Sequence, residues 1–509
     1  MKREENRMIN IKSRRECFFD SFLLNEEKTT ADFRVHQPAK KECAMVINEA
    51  WENHSNSYPH IIHDGKKYIM YYIARGNKPD ARYSICYAES DDGFEWRKPA
   101  LNLCEFDGSK ENNIVIDQYT IPDQNAYDNF CAFYDTNPAC PPEKKYKACV
   151  AWCGHRTLRC FSSPDGINFS VDCVITNKGE FDSLNRAFWD AERGRYLCYY
   201  RNEHEPELSV PLMDKSFQPS IIKMLYDPER GMYRAPGESD KYFSREVSVI
   251  ESPDFVNWTE PVRLSDDGAD MQYYTNGVMP YPRAPHIYIG LATRYVERKA
   301  WTPNYDELCG AEMRKGRIQR QEPRAGLALT DTLFIVSRDG YHFKRYDEAF
   351  MRPGPEHPYG WMYGDCYPTP YLLETPSDIP GADGEYSIYS AAGHQSYIPN
   401  EHKLYRYTIR KDGFVSLHAG GKEETIVTKP FVYEGDKLYA NIETSARGSA
   451  YFTLISGDER YESHEIFGDS IDKRIHFLDD DAVQKCEGKE IVLEIKLLDA
   501  DIYSIKFER

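Results

Sequence analysis

A chain of 509 residues with 82 acidic against 64 basic side chains carries a net charge of −18, which argues against nucleic acid and anionic membrane as partners. With 41% hydrophobic and 14% aromatic residues, 38 of them Tyr, it can bury two or three sizeable cores and is not a disordered polymer. No run approaches the roughly 20 apolar residues that a membrane helix needs.

The N-terminal stretch MKREENRMINIKSRRECFF has basic residues but no apolar segment and no cleavage site, so no signal peptide is read and a cytoplasmic location is expected. The chain's 14 cysteines are dispersed singly, with no C-x-x-C pair and no Cys/His metal spacing. They read as reduced and mostly as small core residues.

In chain order, residues 16–37 predict a strand or two tying the N-terminus to a later module. Pro59 to Tyr72 then reads as an apolar strand, an Asp64-Gly65 turn and an aromatic strand. A third strand, Tyr83 to Ala88, leads to Ser90-Asp91-Asp92-Gly93-Phe94-Glu95-Trp96. The same order recurs. Residues 130–135 and 146–150 form a hairpin followed by Ser163-Pro164-Asp165-Gly166-Ile167-Asn168-Phe169. Residues 187–190 and 195–200, with a third strand at 246–250, precede Ser252-Pro253-Asp254-Phe255-Val256-Asn257-Trp258. Residues 278–281 and 287–291 precede Ser337-Arg338-Asp339-Gly340-Tyr341-His342-Phe343, and 370–373 with 386–389 precede the shorter Lys411-Asp412-Gly413-Phe414. The markers Gly93, Gly166, Phe255, Gly340 and Gly413 are 73, 89, 85 and 73 residues apart.

Each unit is strand, turn, strand, strand, S-x-D-G turn, strand, which is a four-stranded antiparallel sheet. The Asp-Gly pair suits a tight turn needing positive φ, and the aromatic residue three positions on is expected between neighbouring sheets. Five such sheets arranged radially make a five-bladed β-propeller with few exposed edges. From about residue 420 the pattern changes: residues 437–444, 448–454, 489–497 and 501–507 alternate as strands of a C-terminal β-sandwich. The expected class is therefore all-β, with an N-terminal extension over 1–45, the propeller over 46–420 and the sandwich over 421–509. Residues 296–325, with Arg298, Arg314, Arg317, Arg320 and Arg324, read as an insertion in the fourth unit, either a solvated loop or a lid.

Five blades followed by a sandwich resemble the glycoside hydrolase propellers of families 32, 43 and 68. The Trp51-Glu52 dipeptide, Phe181-Asp182-Ser183-Leu184-Asn185 and Ala500-Asp501-Ile502-Tyr503-Ser504 resemble a little-characterised bacterial group of family-32-like proteins. W-M-N-D-P-N-G and R-D-P do not occur in the chain, so the correspondence is positional. The resemblance implies a glycosidic bond cleaved through an oxocarbenium-like state by paired carboxyls on the innermost strands, in the manner of a β-fructosidase or arabinofuranosidase.

On those strands the acids are Glu52, as base or nucleophile; Asp128, orienting or tuning; and Asp182, as general acid, with Glu180 competing for that role. Trp51 offers a ring face to a sugar. Asn129, Asn185, Arg245, Tyr274, Asn276, Arg294, Trp361, Asp365 and His394 are candidates for holding hydroxyls, with Tyr273 and Tyr363 beside them. No cofactor is implied, and no metal is assigned to the axis. An oligosaccharide is the expected partner, with self-association through the sandwich left open. Two alternatives stand beside hydrolysis: phosphorolysis, which would need an Arg/His cluster beside the acid, and carbohydrate binding without turnover.

Overall fold

The computed structural model describes residues 8–52, 58–75, 83–117, 120, 129–152, 157–204, 226–227, 232–233, 244–268, 271–296, 298, 301–320, 326–357, 360–392 and 402–509. Five antiparallel sheets follow one another along the chain. The first is His60–His63, Tyr68–Arg75, Tyr83–Ser90 and Ile114–Ile116, and the second is Cys131–Tyr134, Tyr146–Trp152, Thr157–Ser163 and Ser170–Thr176. The third is Arg186–Asp190, Arg195–His204, Ser244–Ser252 and Val262–Arg263. In the fourth, the inner edge is split into Tyr273–Thr275 and Val278–Tyr281, both paired with Ala284–Val296; Leu329–Ser337 and His342–Arg345 follow, and Ser265–Asp266 adds a parallel outer strand. The fifth sheet takes three strands from the C-terminal side, Leu373–Thr375, Glu385–Ala392 and His402–Arg410. Its outermost strand is Ala39–Ile47, so an N-terminal segment completes the last blade.

Apolar seams between consecutive blades close the ring. Tyr71 and Tyr87 of the first blade pack on Ala148 and Phe161 of the second, and Cys149 of the second packs with Ala187, Cys198 and Ile250 of the third. Tyr199 and Val249 meet Val278 and Leu333, and Ile289 and Phe334 meet Tyr386 and Ile388. Tyr389 and Leu404 of the fifth blade return to Met70 and Tyr72 of the first. This is a five-bladed propeller.

The repeated S-x-D-G phrase is a clasp between blades as well as a turn. In each of the first four copies the serine hydroxyl accepts from the backbone N–H three residues on, at 2.9–3.0 Å, and the aspartate accepts from the two N–H groups beyond that. In the three copies with glycine the turn carbonyl also meets the preceding blade. Tyr71 donates to the Gly166 carbonyl at 2.6 Å, Tyr199 to Gly340 at 2.8 Å, and Tyr389 to Gly93. Gly166 has φ +76°, and a Cβ there would lie 2.9 Å from the Tyr71 hydroxyl, so the position requires glycine twice over. In the third blade Phe255 takes the place of glycine at φ +67°, and its ring packs edge-on against Tyr196 and Trp258. The aromatic three residues on sits between blades as expected: Trp96 packs edge-on against Tyr389 and Phe169 against Tyr71.

The C-terminal module is built on two long strands, Lys437–Ser456 and Val492–Glu508. They pair along their length with a break at Thr444/Ser449, and their two halves turn alternate residues into one shared core. Asp32–Val35 pairs with Val415–Ala419, Arg15–Cys17 with Val492–Glu508, and Ile9–Lys12 with Phe431–Tyr433, so the N-terminus is woven into this sandwich before it crosses to the fifth blade. The two modules are joined by a buried ionic knot. Asp412, in the shortened fifth phrase, accepts from Arg283 at 3.0 Å, Arg15 at 3.3 Å, Ser504 at 2.7 Å, Asn441 at 3.0 Å and Tyr281. Burial works against its charge, but Arg15 and Arg283 hold the carboxyl below the ordinary range. Beside it Glu16 binds His286 at 3.0 Å and Arg338 at 2.7 Å.

The segment after Val296 is not a solvated loop. Pro303–Glu307 and Ala311–Arg320 are helices, and Trp301, Tyr305, Leu308, Ile318 and Leu327 form a small core of their own. Arg314 is buried and donates to the Gly360 carbonyl at 2.8 Å. Among the described residues no helix is long and apolar enough to cross a membrane.

Candidate active site

The inner strands all begin at one end of the ring, and at that end the second strand of each blade finishes. The second strands of the five blades end there, at Arg75, Trp152, His204, Val296 and Ala392, whereas the opposite end carries the first hairpin of each blade, the S-x-D-G clasps and the sandwich. That end is one mouth of the axis.

At that mouth three rings from three blades stack in a row. Tyr58, before the first inner strand, lies 5.6 Å from Tyr367 before the fifth, and Tyr367 lies 5.3 Å from Tyr274 at the start of the fourth, both at 23°. Tyr295 extends the row at 6.0 Å and Tyr363 meets Tyr274 edge-on, hydroxyl to hydroxyl. Burial, and then the charge of Asp182, push the Tyr274 hydroxyl above its ordinary range.

Asp182 is exposed on the third-blade side of this row. It follows Phe181, which has φ +56°. Asn185 fixes the loop by donating to the carbonyls of Phe181 at 2.8 Å and Ser183 at 2.9 Å, and by accepting from the backbone of Arg201. Buried Arg201 donates to the Asp182 carbonyl at 2.9 Å and to Glu203 at 2.6 Å, with its guanidinium 5.9 Å from the Tyr274 ring. Arg245 donates to Gln272 at 2.7 Å and lies 4.3 Å from the Tyr295 ring. Asn276 ties the fourth blade to the third by donating to the Leu184 carbonyl and accepting from Val278.

Arg186 opens the inner strand of the third blade and crosses the axis. It donates to the Pro370 carbonyl of the fifth blade, and its charge acts on His60 of the first. Only an axial position reaches both from the third blade. Its guanidinium forms no ion pair among the described residues, Nε has no partner, and burial pulls it down to about 10. His60 is buried and lies 3.1 Å from the Tyr58 carbonyl through Nδ1, so Nδ1 carries the proton and Nε2 presents a lone pair with no partner among the described residues. Burial, then Arg186, drops His60 to about 3. Asn129, at φ +63° before the second inner strand, is buried, and neither amide atom has a partner among the described residues. Among the described residues, His60 Nε2, Arg186 Nε and the Asn129 amide are therefore buried polar groups without a hydrogen-bond partner.

The other expected residues in the described part are bonded within the protein. Glu52 is fully buried: its carboxylate accepts from the backbone of Asn48 and Glu49 at 3.0 Å, from Lys98 at 2.7 Å and from Tyr72. That leaves it no face toward a substrate and makes it a brace between the first and fifth blades. Trp51 donates to Asn113 at 2.7 Å and packs on Phe106, with its ring in the same seam. Arg294 forms a two-pronged pair with Asp331. Trp361 donates to the Gly354 carbonyl and leans on the helical insertion. Asp365 is buried and accepts from the backbone of Met362 at 3.0 Å; burial raises its carboxyl to about 7. Asp128 and His394 lie outside the described residues.

Position in the sequence did not single out Tyr58, His60, Arg186, Arg201, Glu203 and Tyr367. One signal was available: Arg186 is a charged residue opening an innermost strand whose next two residues are apolar.

No protein-family model matches the chain, and no curated protein matches it. Solved structures similar to it include a family-32 β-fructofuranosidase from Bombyx mori, at 10% identity over 94% of each chain with a TM-score of 0.35. Sucrose-6-phosphate hydrolase from Lactobacillus gasseri is 10% identical over 91% of this chain and 93% of that one, TM-score 0.37. A thermostable family-43 glycoside hydrolase is 12% identical over 72% and 94%, TM-score 0.38.

Proposed function

We propose that the chain is a glycoside hydrolase whose reaction takes place at the axial mouth. One observation carries this: an open carboxylate, Asp182, stands beside stacked tyrosines and arginines where five blades converge. Ring faces and fixed donors suit a sugar, and an exposed carboxyl beside a partly desolvated cluster suits proton transfer. Asp182 is the general acid. Asp128, next to the unpartnered Asn129, is the companion carboxylate, and Arg186, His60 and Asn129 hold hydroxyls of the bound ring. A sugar hydroxyl can accept from Arg186 and donate to the His60 lone pair at once. Glu52 takes no part in the chemistry.

The test is a panel of nitrophenyl glycosides and oligosaccharides, with and without inorganic phosphate, repeated with Asp182→Asn. Loss of turnover by about a hundredfold or more with an unchanged circular dichroism spectrum supports the assignment. Turnover at the wild-type rate in Asp182→Asn removes it. Turnover that needs phosphate moves the reaction to phosphorolysis.

A further inference from the structure

Four cysteines lie in one straight row across the second blade. Cys131 pairs with Cys149, Cys149 with Cys160, and Cys160 with Cys173, one from each strand and each directly opposite the next. Directly opposed residues point to the same face of a sheet. At the outer end the sulfurs of Cys160 and Cys173, with a carboxylate oxygen of Asp172, lie within 4.8 Å of one another.

We propose that Cys160 and Cys173 are a redox pair that hydrogen peroxide converts to a cross-strand disulfide. Neighbouring antiparallel positions have Cα atoms about 4.5–5.5 Å apart, within the reach of a disulfide. The two thiols differ in access and in acidity. Cys173 is half-buried on the outermost strand, whereas Cys160 is fully buried. A hydrogen bond from Cys160, aided by Lys144 and Lys147, holds the Cys173 thiol below its usual range, and burial holds Cys160 well above it. Lys144 stays close through its 2.6 Å contact with Asp172.

The Cys173 thiolate therefore attacks the peroxide oxygen, which forms a sulfenic acid and releases one water. The Cys160 sulfur then attacks that sulfur and expels the hydroxyl as a second water. Two thiol protons and two electrons pass to one peroxide. Cys149 and Cys198 also meet across the seam with the third blade, but both are fully buried and no oxidant reaches them.

The experiment treats the reduced, native full-length chain with hydrogen peroxide, blocks the remaining thiols under denaturing conditions and maps peptides by mass spectrometry. Accessible thiols count 14 before treatment. The expected result is loss of two thiols as one Cys160–Cys173 linked peptide, restored by dithiothreitol. In Cys160→Ala, Cys173 stops at the sulfenic acid and is labelled by dimedone. The proposal is overturned if Cys173 in the wild-type chain oxidises to sulfinic acid with Cys160 still alkylatable. It is equally overturned if the purified chain holds a stoichiometric thiophilic ion on this pair and forms no link.

Discussion

Glu52 and Asp182 each precede an innermost strand, yet their surroundings give them opposite roles. Four donors surround the Glu52 carboxylate, and removing it strands the Lys98 ammonium and the Tyr72 hydroxyl. Glu52→Ala is expected to cost about 3 kcal/mol, read as a lower urea midpoint at constant slope. Asp365 carries a different signature. Its carboxyl ordinarily ionises near 3.8 and is raised to about 7 in the fold, so the native state binds its proton more tightly than the unfolded state. Its contribution to stability is full below pH 3.8 and is lost as pH rises toward 7, by at most about 4 kcal/mol. In Asp365→Asn, which keeps an acceptor for Met362, that decline across pH 4–7 should vanish from urea titrations. The sequence showed which acids stand near strand starts. It did not show where each side chain points, because one residue of offset in a strand approach separates the axis from an interblade seam.

The blade is the unit that the sequence makes most legible. Its S-x-D-G turns are local chemistry, Ser and Asp satisfying nearby N–H groups, and local chemistry repeats visibly. The clasp reaching the next blade is not local. No pattern links Tyr71 to Gly166, 95 residues away. Tyr71→Phe, which leaves the Gly166 carbonyl unpaired, is expected to cost about 1–3 kcal/mol. Gly166→Ala, with left-handed backbone and contact with both Tyr71 and Tyr146, should cost at least as much; thermal unfolding of both variants measures the two effects. The helices after residue 301 were illegible for another reason. Their apolar residues are few, and they pack against Trp361 and Gly360 in the connection to the fifth blade, Gly360 lying 46 residues beyond Arg314, which no short window of the sequence contains.

Across the whole molecule, propeller and sandwich are held by buried charge as well as apolar contact. Burial works against the Glu16 charge, but His286 and Arg338 win and bring its carboxyl to about 2 from an ordinary 4.5. A depressed carboxyl stabilises the fold above its unfolded value and loses that contribution as pH falls from 4.5 toward 2. The loss is about 3 kcal/mol, and buried Asp412 changes in the same direction. Acid titration followed by tryptophan fluorescence should show unfolding in that window, and Glu16→Gln should flatten it while lowering stability at neutral pH. Five repeats and a change of pattern after residue 420 made the two modules legible. The return of residues 39–47 to the fifth blade was not, since pairing between the two ends of a chain leaves no periodic trace.

That return sets an order of events during synthesis. The strand that seals the ring leaves the ribosome ahead of every other blade strand, and its partner, His402–Arg410, emerges hundreds of residues later, on the order of tens of seconds at ordinary elongation rates. Until then four blades stand as an open arc with bare edges at both ends. The newborn protein therefore spends its most adhesive interval waiting for its own tail, and the danger it must survive is premature pairing with a neighbouring nascent copy.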